Sequence, residues 1–223
     1  PLVTIATVEE FLAFGKFCAL DTWSQGKTVE LAADLDLSEV EFAPIPTFGG
    51  VFLGGEHTIS GLSVTGAGSA QGLFRYIQPG GVVQDLTVEG TVAPAGTQSI
   101  VGGIVGDNSG VLQNCAFRGT VQGDSMVGGI AGRNNAGGQI IECSMSGSVG
   151  GGSSVGGIAG RSTGLLMTCE NNASVNVTQA ESGPALTGPD AEAALEELAG
   201  GGSYNLLVGS SDTGGIVGWS DGD

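Results

Sequence analysis

One glycine-rich motif recurs along the chain at nearly constant intervals. It has the form Val/Thr-Gly-Gly-Ile-Val/Ala-Gly and begins at Val101, Val127, Val155 and Thr213, so its first two steps are 26 and 28 residues. A period of ~20–50 residues is typical of solenoids, propellers and other arrays, in which each repeat packs only on its neighbours. The motif therefore predicts a repeat architecture.

A cysteine follows the motif once per repeat and keeps the same period. It occurs at Cys115, Cys143 and Cys169, each with Leu or Ile three residues before it. Extended to the other repeats, this position predicts one inward-facing column, which we call the cysteine column: Leu35, Leu62, Leu86, Cys115, Cys143, Cys169 and Leu206. The residue before most of its members is small and polar or turn-forming, as expected where the chain turns a corner.

Short β-branched and apolar runs lie between these landmarks, separated by Gly, Asn, Ser and Asp. No repeat contains a long run of helical periodicity, so these runs predict strands. In one repeat, residues 101–105, 111–117 and 119–121 predict three strands, which tight corners would join into one coil of an all-β parallel β-helix. The repeat count predicts about seven such coils. Paired glycines such as Gly102 and Gly103 would let neighbouring backbones approach closely.

Two segments do not follow the repeat. Residues 7–20 predict an amphipathic helix that begins with a capping box, in which Thr7 is the N-cap and Glu10 the third helical residue. We expect this helix to cover the apolar end of the solenoid, and a partner-binding helix is the alternative. Residues 188–200 predict a second short helix, which either packs on the flank of the rod or recognises a partner.

The predicted domain organisation is a cap followed by a solenoid. The cap covers residues 1–26, and the β-helix covers residues 27–223 with a loop and helix insertion at about residues 179–203. Pro1 is not an initiator Met, and the chain ends within a repeat that begins at Thr213. We therefore expect a fragment of a longer protein, with any signal or anchor outside it.

The charge of the chain excludes some partner classes. It has 6 Lys and Arg against 23 Asp and Glu, which gives a formal net charge of -17. Nucleic-acid binding relies on basic surface that displaces counterions from phosphates, so we expect no nucleic-acid partner. No apolar run reaches the ~18 residues of a transmembrane segment, so we expect no direct membrane insertion.

The repeat resembles the GLUG-motif repeats of bacterial surface and secreted proteins. The resemblance is carried by residues 103–106 (Gly-Ile-Val-Gly), 112–115 (Leu-Gln-Asn-Cys) and 119–121 (Gly-Thr-Val), and it covers most of residues 26–177 and the tail from Thr213. It implies a right-handed parallel β-helix on an extracellular bacterial protein, sometimes beside an IgA-protease-type or adhesin module. It implies no catalytic residue.

The cysteines and the single histidine indicate little chemistry. The cysteine spacing is too wide for a zinc site and parallel stacking keeps the Cβ atoms too far apart for disulfides, so we expect free, buried thiols. His57 is the only histidine, which excludes a His-Glu-x-x-His zinc protease, and we expect it to face a corner or solvent. Asp34 and Asp36 alternate along one strand, and two carboxyls at such a spacing are what glycoside hydrolysis needs.

Two other groups are candidates for ligand binding. Arg133 and Arg161 occupy the same position in consecutive repeats, so we expect outward neighbours that form an anion contact or a solvated stripe. Residues 219–223 with Ser211 and Asp212 offer oxygens to Ca²⁺ but lack the spacing of a complete calcium loop. We assign no catalytic residue, no metal ligand and no cofactor.

The sequence therefore favours a non-catalytic extracellular scaffold or adhesin-type segment of a bacterial surface or secreted protein. The alternatives are a polysaccharide-cleaving β-helix enzyme, either a lyase or a glycoside hydrolase, and the accessory region of a secreted protease. The expected partners are the flanking domains of the parent chain and a host or cell-surface protein or glycan.

Overall fold

The polypeptide winds into a right-handed parallel β-helix of about six turns with one short helix, which confirms the predicted fold class. The structure is a computed structural model that describes residues 1–176 and 211–220, with the backbone alone at 211–213. Leu206 and the insertion predicted at residues 179–203 lie outside the described residues.

The elements follow one another as short strands around each turn. In chain order they are β1 (Leu2–Ile5), α1 (Val8–Phe17), β2 (Thr28–Leu31), β3 (Leu35–Asp36), β4 (Ile45–Phe48), β5 (Val51–Leu53), β6 (Thr58–Val64), β7 (Phe74–Ile77), β8 (Val82–Gln84), β9 (Thr87–Val92), β10 (Val101–Gly102), β11 (Val105–Asn108), β12 (Val111–Gln113), β13 (Ala116–Gln122), β14 (Ser125–Gly128), β15 (Ala131–Asn134), β16 (Gln139–Ile141), β17 (Ser144–Gly150), β18 (Ser153–Gly156), β19 (Ala159–Ser162), β20 (Leu165–Met167), β21 (Glu170–Val175), β22 (Ser211–Gly214) and β23 (Val217–Ser220).

These strands form four parallel sheets along the rod. Sheet A has the order β1-β2-β5-β8-β12-β16-β20, and sheet B has the order β3-β6-β9-β13-β17-β21. Sheet C has the order β4-β7-β11-β15-β19-β23, and sheet D consists of β10-β14-β18-β22. Strands are ~4.8 Å apart in a sheet, so six turns span about 29 Å. The aliphatic and aromatic side chains between the sheets form one continuous core.

A complete coil contains four strands, and the prediction of three was wrong. The predicted strand at residues 101–105 is divided into β10 and β11 by a bend at Gly103. The predicted strand at residues 111–117 is divided into β12 and β13 by the corner at Asn114, and residues 119–121 belong to β13. A Cβ on Gly103 would lie 2.4 Å from the Gly129 carbonyl oxygen and 2.4 Å from Phe117 Cγ. The glycine pair therefore permits close stacking of the bends, as predicted, and also creates a corner that the alternation of apolar residues did not reveal.

The corner before the cysteine column adopts a left-handed backbone in successive coils. Asp85, Asn114, Glu142 and Thr168 have φ angles of 55°, 49°, 53° and 54°. Asp and Asn tolerate this region better than most residues because their short side chains form local hydrogen bonds. The prediction of a turn at this position is confirmed.

The cysteine column is correct from Leu86 to Cys169 and wrong before it. Register places Leu86, Cys115, Cys143 and Cys169 at one level, since the residues that follow them pair across β9, β13, β17 and β21. Leu62, however, lies opposite Gly90. A register shift between Ile59 and Leu62 moves β6 out of step with the later repeats.

Leu35 is displaced as well, because it lies opposite Ile59 in the pairing of β3 with β6. His57, which directly precedes the first paired residue of β6, occupies the level of Leu86 instead. Leu35 and Leu62 are nonetheless buried, so both face the core at other levels.

Helix α1 begins with the predicted capping box. Thr7 Oγ1 accepts a hydrogen bond from the Glu10 amide at 3.2 Å, and Glu10 Oε2 accepts one from the Thr7 amide at 3.1 Å. Phe14, on the buried side of α1, packs its ring 5.9 Å from that of Phe48 and 5.8 Å from that of Phe52. The helix thus packs on the aromatic first turns, while β1, inside the segment predicted as the cap, pairs with β2 as part of sheet A. Within the described residues, no helix has the length and apolar character needed to cross a membrane.

Candidate functional site

The three repeated cysteines lie in one column as free thiols, as predicted. Cys115 and Cys143 are buried, and Cys169 is partly buried. Cys115 Sγ lies 3.3 Å from the Gln113 carbonyl oxygen, and Cys143 Sγ lies 3.3 Å from that of Ile141. Both thiols therefore contact the backbone of their own corner. The column also contacts the preceding coil, since Cys115 Sγ lies 3.6 Å from the Val83 carbonyl oxygen and Cys169 Sγ lies 3.4 Å from that of Ile140.

The surroundings of these thiols disfavour the reactive thiolate form. The hydrogen bond with Cys115 and burial raise the pKa of Cys143 far above its ordinary value, and burial raises the pKa of Cys169. In the cap, burial raises the pKa of Cys18 to about 12. Nucleophilic and metal-binding chemistry both need the thiolate, so the arrangement favours a packing role.

Asp34 and Asp36 bind different backbone groups. Asp34 Oδ1 accepts a hydrogen bond from the Thr58 amide at 2.9 Å and lies 3.1 Å from His57 Nδ1. Asp36 Oδ1 accepts one from the Ser38 amide at 2.9 Å. The pKa of each carboxyl is lowered, in Asp34 first by Thr58 and then by His57, and in Asp36 by Ser38. Both carboxylates therefore stabilise corners of the coil by accepting hydrogen bonds there. His57 also faces a corner, as predicted.

Arg133 and Arg161 are neighbours in the pairing of β15 with β19, as predicted from the repeat. Arg133 forms a bidentate ion pair with Asp107 of the preceding coil, at 3.0 and 2.5 Å. This hydrogen bonding raises the pKa of Arg133, so its guanidinium is charged at neutral pH. The Arg161 guanidinium lies 4.1 Å from the centre of the Trp219 ring in the next coil. The two arginines therefore connect coils in opposite directions along sheet C.

A buried polar ladder runs beside these arginines and was not predicted from the sequence. Asn108 Nδ2 donates to Asn134 Oδ1 at 2.9 Å, and Asn134 Nδ2 donates to Ser162 Oγ at 3.1 Å. All three side chains are buried at the ends of β11, β15 and β19. They recur with the steps of the glycine motif, so the spacing already used for Val101 and Val127 would have revealed them.

The proposed calcium ligands cannot be assembled from the described part of the chain. Asp212 is described by its backbone alone, and residues 221–223 lie outside the described residues. Within residues 1–176 and 211–220, no group of three or more His, Cys, Asp or Glu side chains is placed to hold a metal ion.

An acidic groove follows the left-handed corner. Its cavity of about 250 Å³ is lined by residues that include Glu56, Asp85, Asn114 and Glu142. Asn114 Nδ2 donates to Asp85 Oδ1 at 2.7 Å, which joins two coils across the groove. The corner therefore gives one edge of sheet A a concentrated negative charge.

Two larger clefts lie on either side of residues 41–44. One, of about 430 Å³, lies against α1 and is lined by residues that include Phe11 and Pro46. The other, of about 480 Å³, is lined by residues that include Ser63, Thr65 and Gln71. Gln71 Oε1 is buried without a hydrogen-bond partner, the one such side-chain atom among the described residues. The second cleft thus combines an apolar wall with hydroxyl and amide groups.

Comparisons with known proteins give one partial similarity. Over 132 residues the chain is 32% identical to halomucin of Haloquadratum walsbyi. The match covers 52% of this chain and 1% of halomucin, so the chain spans a very small part of that relative. No protein-family model matches the chain, and no solved structure matches it. The resemblance to GLUG-motif repeats therefore stays a prediction.

Proposed function

We propose that this chain is a non-catalytic scaffold, a rigid spacer or adhesin-type segment of an extracellular protein that is secreted or displayed on a cell surface. The observation that carries the proposal is that side chains at the same position of successive repeats contact one another from coil to coil. The thiols, the Asn108–Asn134–Ser162 ladder and the Asp107–Arg133 pair all stabilise the stacking. A spacer needs this uniformity, because its stability is a sum of neighbouring interfaces.

The surroundings of the acidic candidates support a structural role. Asp34 is held by Thr58 and His57, and Asp36 is held by Ser38. Glycoside hydrolysis requires one carboxyl with a raised pKa to act as general acid, whereas the pKa values of both groups are lowered. These contacts favour the scaffold over the polysaccharide-cleaving alternative.

The location and the partners belong to the same proposal. The resemblance to GLUG-motif proteins of bacteria and the partial similarity to halomucin support an extracellular repeat segment. The partners we propose are flanking domains of the parent chain and a surface protein or glycan. The cleft beside Gln71, with its hydroxyl and amide groups, is where we expect a glycan to bind.

Removal of one coil in phase tests the spacer. Ala116 lies opposite Ser144, so deletion of residues 116–143 joins Cys115 to Ser144 and preserves the register on both sides. We expect a folded variant whose rod is shorter by about 4.8 Å. Small-angle scattering and circular dichroism measure both properties. Deletion of residues 116–129, which removes about half a coil, is the control and should not fold cooperatively.

An activity assay and a binding screen complete the test. We expect no absorbance from unsaturated products when the full chain is incubated with uronate polymers, and no release of reducing sugars from neutral polysaccharides. Turnover that disappears in Asp34→Asn would overturn the scaffold proposal in favour of the enzyme. On a glycan array, binding that is lost in Gln71→Leu would support the adhesin form, and absence of binding would leave the spacer form.

A further inference from the structure

Gln71 is a polar residue at a position that the later coils fill with valine. The parallel bridge between Gln71 and Val101 places these two residues at one level, and register continues the level through Val127 and Val155. All three valines are completely buried, and Gln71 is only 5% exposed. An inward column that is apolar in three successive coils is therefore interrupted by an amide in the coil before them.

The amide of Gln71 does not take part in coil stacking. Its Oε1 is buried without a hydrogen-bond partner, whereas Asn108 and Asn134 pair with neighbouring coils. The backbone holds Gln71 in place, because its carbonyl accepts from the Gly102 amide at 3.0 Å and its amide donates to the Ile100 carbonyl at 3.1 Å. An unpaired buried acceptor destabilises a fold, and valine would fill this position without one. A ligand that supplies a donor would explain the glutamine.

The cleft beside Gln71 lies on the side of the rod that sheet D covers in later turns. Sheet D begins at β10, and the cleft is lined by residues of the segments that precede β4 and β7. Its volume of about 480 Å³ falls within the ~300–1,000 Å³ of small-molecule sites. Phe42 and Pro44 belong to its apolar wall, and Ser63 and Thr65 add hydroxyls. The cleft therefore has both the size and the mixed lining of a binding site.

The Gln71 amide and the apolar wall together match the chemistry of a sugar. Side-chain rotamer changes are common on binding, and one at Gln71 turns its amide into the cleft. Gly68 leaves room for this change, since even an added Cβ there would lie 3.0 Å from Gln71 Nε2. Neighbouring sugar hydroxyls can then donate to Oε1 and accept from Nε2. The apolar face of the same ring can pack on Phe42 or Pro44.

The charge of the cleft determines which sugars it admits. Glu41 lines it, and none of the described residues that line it is Lys or Arg. In a chain of net charge -17, a uronate or another anionic sugar would be repelled. We propose that the cleft beside Gln71 is a subsite for a neutral sugar, whose hydroxyls bind the Gln71 amide. The subsite rests on the adhesin form of the proposed function and gives its ligand class.

Saturation-transfer difference NMR of the full chain tests the subsite. The probes are the methyl glycosides of glucose, galactose, mannose and N-acetylglucosamine, with methyl glucuronide as the anionic counterpart. We expect transfer to at least one neutral glycoside and none to the glucuronide. Gln71→Val, which installs the residue of the later coils, should raise the dissociation constant about tenfold or more. Gln113→Val makes the same change at an exposed position of sheet A and should bind like the wild type.

Thermal unfolding of the free chain adds a second measurement. Gln71→Val should unfold about 2–4 °C above the wild type, because no buried acceptor is then left unpaired. A lower midpoint would show that Gln71 stabilises the fold by itself and would overturn the proposal. Preference for the glucuronide, binding that survives Gln71→Val, or absence of transfer to all four neutral glycosides would overturn it as well. The scaffold would stand after any of these results, because deletion of residues 116–143 tests it separately.

Discussion

The first turns and the later turns of the rod fill the same interior in different ways. In the turns that contain β4, β5 and β7, aromatic rings pack at varied angles, as where Phe52 lies 6.2 Å from Phe48 and 5.8 Å from Phe74. In the turns from Val101 onward, aligned residues recur, such as Cys115 with Cys143 and Asn108 with Asn134. The first region is stabilised by one irregular aromatic cluster, and the second by repeated coil-to-coil contacts.

This difference shows how a solenoid can begin. The repeated turns need a preceding coil of nearly the same shape, because their ladders match residue to residue. The first turns have no such coil and pack instead on α1, whose Phe11 and Phe14 are buried in the cluster. Large rings adapt to this uneven surface, whereas the narrow repeated coils require glycine at the bends.

The strongest way to separate the two regions is to remove a ring from the cluster. Phe52 is fully buried, so Phe52→Ala should lower the free energy of unfolding by about 3–5 kcal/mol. Because solenoid stability is a sum of neighbouring interfaces, the loss should be local. Hydrogen exchange should accelerate in β4, β5 and β7 well before it changes in β15 and β19. Equal acceleration in both regions would show that the rod unfolds as one unit.

A methyl group added to a repeated bend tests the other region. In Gly103→Ala the new Cβ would lie 2.4 Å from the Gly129 carbonyl oxygen, so we expect a loss of about 1–3 kcal/mol in urea unfolding. Gly215 occupies the same level in the last described coil, and a Cβ there meets nothing within 4 Å. Gly215→Ala is therefore the matched control and should leave stability nearly unchanged. Similar losses in both variants would contradict the close-stacking explanation.

The polar ladder should contribute less than the bends. Asn134→Ala removes hydrogen bonds to Asn108 and Ser162, but Asn108 keeps the Gly110 carbonyl at 3.2 Å and Ser162 keeps that of Gly164 at 3.1 Å. We therefore expect a loss of about 1 kcal/mol. A double-mutant cycle with Ser162→Ala should show coupling between the two sites. Strictly additive losses would mean that the ladder acts only through packing.

The same contrast explains what the sequence predicted. Cys115, Cys143 and Cys169 were placed correctly because their repeats are nearly equal in length and carry the same landmarks. Leu62 was misplaced because the register shift before it leaves no mark in a hydrophobic pattern. Leu62 lies five residues after His57, which occupies the true position in the column, and its spacing to Leu86 happens to be close to the repeat length.

Other features were missed for different reasons. The bend at Gly103 breaks a predicted strand, and only the contacts with the next coil show why. The outward alignment of Val51, Val82 and Val111 combines residues from three strands, so it becomes visible only after register is known. The ladder of Asn108 and Asn134, by contrast, could have been predicted, because these two polar residues are separated by the same step as Val101 and Val127.

The smallest predicted effect is a pH dependence of stability that arises from Glu10 in α1, the helix on which the first turns pack. The hydrogen bonds from the Ala6 and Thr7 amides lower the pKa of Glu10 in the folded chain below its ordinary value of 4.5. A carboxyl with a lowered folded pKa stabilises the fold above its unfolded pKa, and this contribution disappears as pH falls through the folded value.

The wild type should therefore lose its advantage over Glu10→Gln when thermal unfolding is followed from neutral pH to below about pH 4. Glu9→Gln, one residue earlier in the same helical turn, is the control for general effects of a negative charge near a helix start. If α1 belongs energetically to the aromatic cluster, the Glu10 effect should appear in the hydrogen exchange of β4 and β5 and be absent from β15. An equal pH dependence of Glu9→Gln and Glu10→Gln would assign the effect to the helix dipole alone. The capping-box hydrogen bonds would then make no separate contribution to the stability of the first turns.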